Sequence, residues 1–173
     1  MTKLSNTNLI VGTSLDMTTF QGSHECPSGR FAVVAARFNQ TVVDQLLRGT
    51  FEALRSLGVN DSEIDVAYVP GCFEIPLIAA RFAESRRYTA VICLGAVIRG
   101  ETDHYDYVCR AVTDGVAKAG IDSGIPVIFG ILTCDTLEQA MRRAGPKSSN
   151  KGYDSALAAV EMVNLLRKLP QKG

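Results

Sequence analysis

The segment GETDH (100–104) brings a glycine, a carboxylate, a hydroxyl and an imidazole together, just after an apolar run and just before a helical pattern. Backbone N–H groups at such a turn, the Thr102 hydroxyl and the positive end of a helix dipole make a ready site for an anion. The same residues also suit a simple helix cap, with Thr102 or Asp103 as the capping side chain. His104 is the only histidine after His24. A lone histidine is more often structural than catalytic, but at a strand–loop–helix junction an imidazole can move protons near neutral pH. Glu74, just after Pro70-Gly71, can accept hydrogen bonds from hydroxyls or merely favour a helix start. Phe38 and Phe129 end apolar runs, where core packing is the first expectation and a wall for a flat ring the second. Arg99 could bring charge to this edge or stand solvated in a loop. Arg142, Arg143, Lys147 and Lys151 gather around a Gly/Pro/Ser loop, which is either a solvated connection or an anion-binding loop.

These residues need elements to hold them. FAVVAA (31–36), DVAYV (65–69), AVICLG (90–95) and PVIFGIL (126–132) are short apolar runs of the kind buried on both faces of a parallel sheet. Between them lie helical periods. Val43, Leu47, Leu54 and Leu57 recur at helical spacing, opened by Thr41 and Asp44 as a capping box and closed by Gly58. Pro76 sits near the first turn of a second helix carrying Ile75, Ile78, Ala79 and Phe82. A third shows Tyr105, Val108, Cys109, Val112 and Val116 on one face. Thr136 with Gln139 opens a fourth, to about 144, and a fifth spans about 153–168. Every crossover is long enough for a parallel connection. The fold expected is a three-layer α/β/α sandwich of flavodoxin-like type on a four-stranded parallel sheet. Ligands in such sheets bind outside the carboxyl ends of the strands, so residues 37–39, 70–74, 95–104 and 129–133 should converge. At 1.5 Å per residue the helix over 136–144 would carry the cationic loop about 13 Å from that edge. If those cations serve a site, it is a neighbouring chain's pocket, which implies an oligomer with shared sites.

Composition narrows the classes. The 173 residues suit one domain. Eighteen Lys and Arg balance eighteen Asp and Glu, against a general nucleic-acid binder, which needs excess basic charge. No apolar run approaches the ~20 residues that span a bilayer. Five cysteines without a CxxC, beside two histidines, support neither a disulfide framework nor a metal set and point to a reducing compartment. The N-terminal stretch resembles neither a secretory signal nor a transit peptide, so a cytoplasmic location is expected. P-loop, Rossmann and nucleophile-elbow glycine patterns are absent. Residues 1–29 are polar and read as an extension, ordered only where another surface holds them; residues 30–173 form the domain.

Taken together, ARFN (36–39), VPGCFEIP (69–76), LGAVIRGETDHYDYV (94–108), PVIFGILT (126–133), EQAMRRAG (138–145) and NKG (150–152) resemble the 6,7-dimethyl-8-ribityllumazine synthase family. The resemblance covers about 31–166. It implies condensation of 5-amino-6-ribitylaminouracil with 3,4-dihydroxy-2-butanone 4-phosphate, releasing phosphate and water, with no metal and no organic cofactor. By resemblance, Phe38 stacks on the pyrimidine, Asn39 helps bind it, and the backbone at Val97 and Ile98 reads its polar edge. Glu74 binds ribityl hydroxyls, with Gly71, Cys72, Phe73 and Ala96 also at the substrate. Gly100, Glu101 and Thr102 cradle the phosphate with Arg143 of the next subunit, and His104 shuttles protons. Phe129, Lys147, Lys151 and Asp154 line the site from the neighbour.

The resemblance further implies a homo-oligomer of pentamers, free or built into an icosahedral shell, with riboflavin synthase as a possible companion. The N-terminal extension would add a strand to a neighbour's sheet. Two departures stand out. Cys72 lies where small residues are usual, and Asp154 where many members carry Glu. A non-catalytic lumazine- or riboflavin-binding module, the archaeal-type riboflavin synthase and a flavodoxin-like electron carrier are the competing readings. Absence of Trp and of surplus acidic charge weakens the last of these.

Overall fold

The computed structural model describes residues 18–170. Strands β1 (Arg30–Ala36), β2 (Ile64–Val69), β3 (Tyr88–Ile98) and β4 (Val127–Cys134) form one parallel sheet in the order β2-β1-β3-β4. Helices α1 (Gln40–Ser56), α2 (Ile75–Glu84), α3 (His104–Ser123), α4 (Leu137–Arg143) and α5 (Lys151–Lys168) cover its two faces. This is the expected three-layer sandwich. Alternate residues of β1 divide between two cores. Phe31, Val33 and Ala35 pack with α1, α4 and α5, whereas Ala32, Val34 and Ala36 pack with α2 and α3. The direction of strand order reverses between β1 and β3, so a crevice opens at their carboxyl ends.

Three differences from the sequence reading have physical causes. β3 runs to Ile98, beyond the expected stop at Gly95. The glycine lies within the strand because the Cys72 thiol sits 2.5 Å from where a Cβ at position 95 would stand. α1 is not opened by Thr41 and Asp44; its N-cap is Asn39, in the left-handed region at φ 58°, ψ 42°. Short 3-10 turns occupy Asp61–Glu63, Cys72–Glu74 and Lys147–Ser149. The expected closure of α1 does form. Gly58 has φ +93°, and Val59 N–H donates to the Leu54 carbonyl at 3.0 Å, as in a Schellman motif. Thr136 caps α4 by accepting from Gln139 N–H at 3.2 Å.

Of the N-terminal extension, residues 1–17 and any strand they add to a neighbour lie outside the described residues. The rest is held by its own chain, along α5. Asn164 donates to the carbonyls of Ser23 and Glu25 at 2.8 and 2.9 Å, and Lys168 donates to that of Gln21 at 3.0 Å. Arg167 donates to the Ser28 carbonyl at 2.6 Å.

The NKG stretch (150–152) locks α5 to α1. Buried Asn150 donates to the carbonyls of Gln45, Ala144 and Gly145 at 3.1, 2.8 and 3.0 Å, and it accepts from Tyr153 N–H at 3.1 Å. The Leu46 carbonyl fills the space that a Cβ at Gly152 would need. Gly152→Ala should therefore destabilise the fold by ~1–3 kcal/mol in urea denaturation, despite the better helix propensity of alanine. Gly100, with no atom within 4 Å of an added Cβ, should tolerate alanine without a change in midpoint.

Candidate active site

The chain leaves β1 by extending its ladder to the loop after β2. Arg37 N–H donates to the Val69 carbonyl at 2.8 Å and Phe38 N–H to that of Pro70 at 3.0 Å. Asn39 then turns the chain into α1. Asparagine tolerates the left-handed region better than most residues. Its side chain does not cap α1; the amide donates instead to the Ala96 carbonyl at 2.8 Å, fastening the end of β1 to β3. The turn throws Phe38 outward, 70% exposed. Core packing was the first expectation for this ring, and the structure overturns it.

β3 outruns its neighbour. Pairing with β1 ends at Ala35 and Leu94, while pairing with β4 continues to Ile98 and Cys134. Arg99 N–H donates to the Cys134 carbonyl at 2.9 Å, so peptide groups at odd positions here face β4. By alternation those of Ala96 and Ile98 face the side that β1 has vacated. Asn39 takes the Ala96 carbonyl, and Ile98 is left with an N–H and a C=O directed towards the crevice. A flat ring with a donor–acceptor edge could pair with them. The open peptide groups thus belong to Ile98, while Val97 turns its own to β4.

The 3-10 turn Cys72–Glu74 forms one wall. Gly71 N–H donates to Glu74 Oε2 at 2.9 Å, which fixes the carboxylate at the crevice. Phe73 is exposed. Cys72 is buried, and burial pushes its thiol up to about 12 despite a hydrogen bond with the Ala96 backbone. It is a neutral thiol at ordinary pH and serves as packing over Gly95, so the departure at this position adds no nucleophile.

Gly100 and Thr102 form the far wall, at the start of α3. Asp103 occupies the N-cap, yet its side chain makes no capping bond. The Asp106 N–H donates to the Asp103 carbonyl at 3.0 Å, whereas those of Asp103, His104 and Tyr105 have no partner within the helix and are left to a ligand or water, and the cap-only reading of Asp103 falls. Gly100 meets no packing demand and has no positive φ. His104 is the first residue of α3 and is exposed. Arg99 is exposed but not free. It donates to both oxygens of Asp106 at 3.1 and 3.2 Å and to Asp135 at 3.3 Å. Its guanidinium also lies 4.1 Å from the centre of the Tyr105 ring.

These walls enclose a cavity of about 640 Å³, of the size that takes a drug-sized ligand. Phe38, Asn39, Gly71, Cys72, Phe73, Glu74, Ala96, Val97, Ile98, Gly100, Thr102 and His104 all line it. Glu101 is exposed beside it and is not among the lining residues. Pro70, Tyr105 and Val108 line it as well, and the sequence reading had given them only turn and core roles. The signal for Tyr105 was its place next to His104 on a helix whose first turn faces the cavity.

Five expected site residues lie elsewhere. Phe129 pairs with Cys93 in β4 and packs half-buried on the α2–α3 side. Arg143 ends α4 and is exposed. α4 sits on the opposite face of the sheet from α3, with Ala140 and Ala144 in the α1–α5 core. The sequence reading sent the cations away along a helix. α4 has only seven residues, and none of Arg143, Lys147 and Lys151 lines this chain's cavity. Lys147 lines a separate hollow of about 220 Å³, lies 3.9 Å from Glu52 and 4.6 Å from the Tyr153 ring. Lys151 and Asp154 lie in the first turn of α5.

Among the described residues, no group of three or more His, Cys, Asp or Glu side chains could hold a metal ion. No helix there is long and apolar enough to cross a membrane. The cavity therefore offers aromatic, backbone, carboxylate, imidazole and helix-terminus groups from a single edge of the sheet. Residues 28–167 match the family model described as 6,7-dimethyl-8-ribityllumazine synthase. The match spans all four strands and starts in the segment laid along α5, and with it the chain belongs to the 6,7-dimethyl-8-ribityllumazine synthase family, transferases of riboflavin biosynthesis.

Proposed function

We propose that the cavity condenses 5-amino-6-ribitylaminouracil with 3,4-dihydroxy-2-butanone 4-phosphate to give 6,7-dimethyl-8-ribityllumazine. The observation that carries this reading is the order of surfaces across one cavity. An exposed ring (Phe38) and a bare strand edge (Ile98) stand at one side, a fixed carboxylate (Glu74) at another, and an uncapped helix start with Thr102 at the third. They suit, respectively, a pyrimidinedione, a polyol chain and a phosphate.

The chemistry then needs little from the protein beyond placement and proton transfer. The aromatic amine attacks the ketone carbon and water leaves, forming a C=N bond. Loss of a proton from the neighbouring carbon expels phosphate. Tautomerisation leaves a second carbonyl, which the ribityl-bearing nitrogen attacks, and a second water leaves as the ring closes. Holding both substrates in one orientation replaces a bimolecular encounter. The helix start stabilises the departing phosphate charge. His104, beside that helix start, exchanges the protons.

The cations complete this half-site from a neighbour. Arg143 reaches the phosphate of the adjacent subunit, with Phe129, Lys147, Lys151 and Asp154 closing the same pocket, and Glu101 assists the phosphate loop. A head-to-tail ring, a pentamer by family resemblance, brings the two halves together. β2 is an edge strand with Tyr68 58% exposed, an open ladder that the first residues of a neighbour can extend. The chain works in the cytoplasm, where its five free thiols stay reduced, and a riboflavin synthase consumes its product.

Incubating the purified chain with both substrates and following lumazine absorbance tests the proposal; a folded oligomer that forms no lumazine would overturn it. His104→Ala should lower kcat by roughly ten- to a thousandfold with KM little changed, since general acid–base catalysis contributes up to ~10⁴. An unchanged kcat would remove the proton-transfer role. Arg143→Ala should weaken the phosphate-bearing substrate by ~1.5–3 kcal/mol, the worth of a charge-assisted contact, and leave the ribityl substrate nearly untouched. Equal losses for both would contradict the assignment.

A further inference from the structure

Asp106 occupies a position that ought to harm an anion site. It is the third residue of α3, where an acidic side chain commonly folds back on the free N–H groups of its own helix start. Such a carboxylate is an internal competitor for the charge that a phosphate would use. In this structure both Asp106 oxygens accept instead from Arg99, at 3.1 and 3.2 Å. Arg99 is itself held in place. It donates to Asp135 at the end of β4 at 3.3 Å and stacks over the Tyr105 ring at 4.1 Å. Its backbone is pinned by the bond to the Cys134 carbonyl at 2.9 Å.

We infer that Arg99 is a positioning residue that holds the Asp106 carboxylate away from the start of α3 and so keeps that helix end open to the substrate phosphate. Arg99 does not touch the phosphate; it removes a rival for it. The inference rests on the phosphate reading of Gly100–Thr102. It deepens that reading by explaining how an acidic first turn coexists with an anion site. Arg99 and Asp106 are 44% and 59% exposed, and exposed ion pairs contribute little to stability, so the device acts on the site more than on the fold.

Three variants test it: Arg99→Gln, Asp106→Asn and the double variant. Arg99→Gln should raise KM for the butanone phosphate roughly tenfold, the scale of a charge at a helix terminus. The KM for the ribityl substrate and the kcat should stay within about twofold. Asp106→Asn alone should leave both KM values near wild type, because the rival charge is gone. The double variant should recover most of the lost affinity. A merely structural clamp predicts the reverse, with the double variant no better than Arg99→Gln. That result, or an unchanged KM in Arg99→Gln, would overturn the inference.

Thermal protection by inorganic phosphate gives a readout independent of turnover. It should be strong in wild type, lost in Arg99→Gln and restored in the double variant. Lumazine formation by wild type tests the proposed function separately. Phosphate protection that tracks the charge of Asp106 would support the inference even without turnover, and protection equal in all four proteins would sink it. If Arg99→Gln does not fold, Arg99→Lys replaces it. Lysine loses the two-pronged grip on Asp106, so a KM equal to wild type would count against the inference.

Discussion

The hydrogen bond from Asn39 to the Ala96 carbonyl fixes the crevice on which everything else depends. One side chain does three things at once. Its left-handed backbone ends β1 and starts α1, which expels Phe38 from the core. Its amide satisfies the first β3 carbonyl left unpaired where β1 stops, that of Ala96. By pairing Ala96 and no further, it leaves the Ile98 peptide groups open. An ordinary capping residue at position 39 would bond its own helix, and β3 would keep an orphaned acceptor at the mouth of the cavity. The switch point of a doubly wound sheet supplies a crevice in general; this asparagine turns it into a surface with a defined polar edge.

Close approach at small residues sets the remaining geometry. Cys72 sits over Gly95, which allows the Cys72–Glu74 turn to press against β3 and lets β3 run past its glycine. α5 presses on α1 through Gly152, while Asn150 packs against Gly49 and ties three carbonyls together. The first contact places Glu74 at the cavity. The second fixes the Lys147–Asp154 region on the far side of the sheet. Both act through packing distance, with no charge involved.

Periodicity made the layers legible in the sequence, because alternating apolar runs and helical stripes have few parallel-sheet solutions. Most of the cavity's residues were legible for the same reason: of the four carboxyl-edge segments expected to converge, 37–39, 70–74 and 95–104 supply the lining and 129–133 does not. What escaped the sequence were interactions that local pattern does not encode. Thr41 and Asp44 looked like the opening of α1, but Asn39 opens it because a tertiary acceptor claims its side chain. Gly95 looked like a strand end because a neighbouring thiol is invisible in a linear pattern. The ion pairs of Arg99 escaped because its partners lie 7 and 36 residues away. Its twofold contact to Asp106 emerges only once β4 and α3 stand side by side. Phe38 looked like core because a strand-terminal phenylalanine usually is.

The central claim is that one chain supplies the ring-binding and proton-transfer half of the site and its neighbour supplies the cations, none of which lines this chain's own cavity. Co-assembly of two impaired variants, assayed at butanone phosphate concentrations below KM, tests it most directly. His104→Ala and Arg143→Ala are refolded together and separately, mixed oligomers are verified by mass, and lumazine formation is compared. In a head-to-tail ring of random composition, about a quarter of the interfaces pair an intact His104 with an intact Arg143, so the mixture should regain close to a quarter of wild-type activity. Mixed oligomers with no gain over the separate variants would mean that each site is built within one chain, and the account would be wrong.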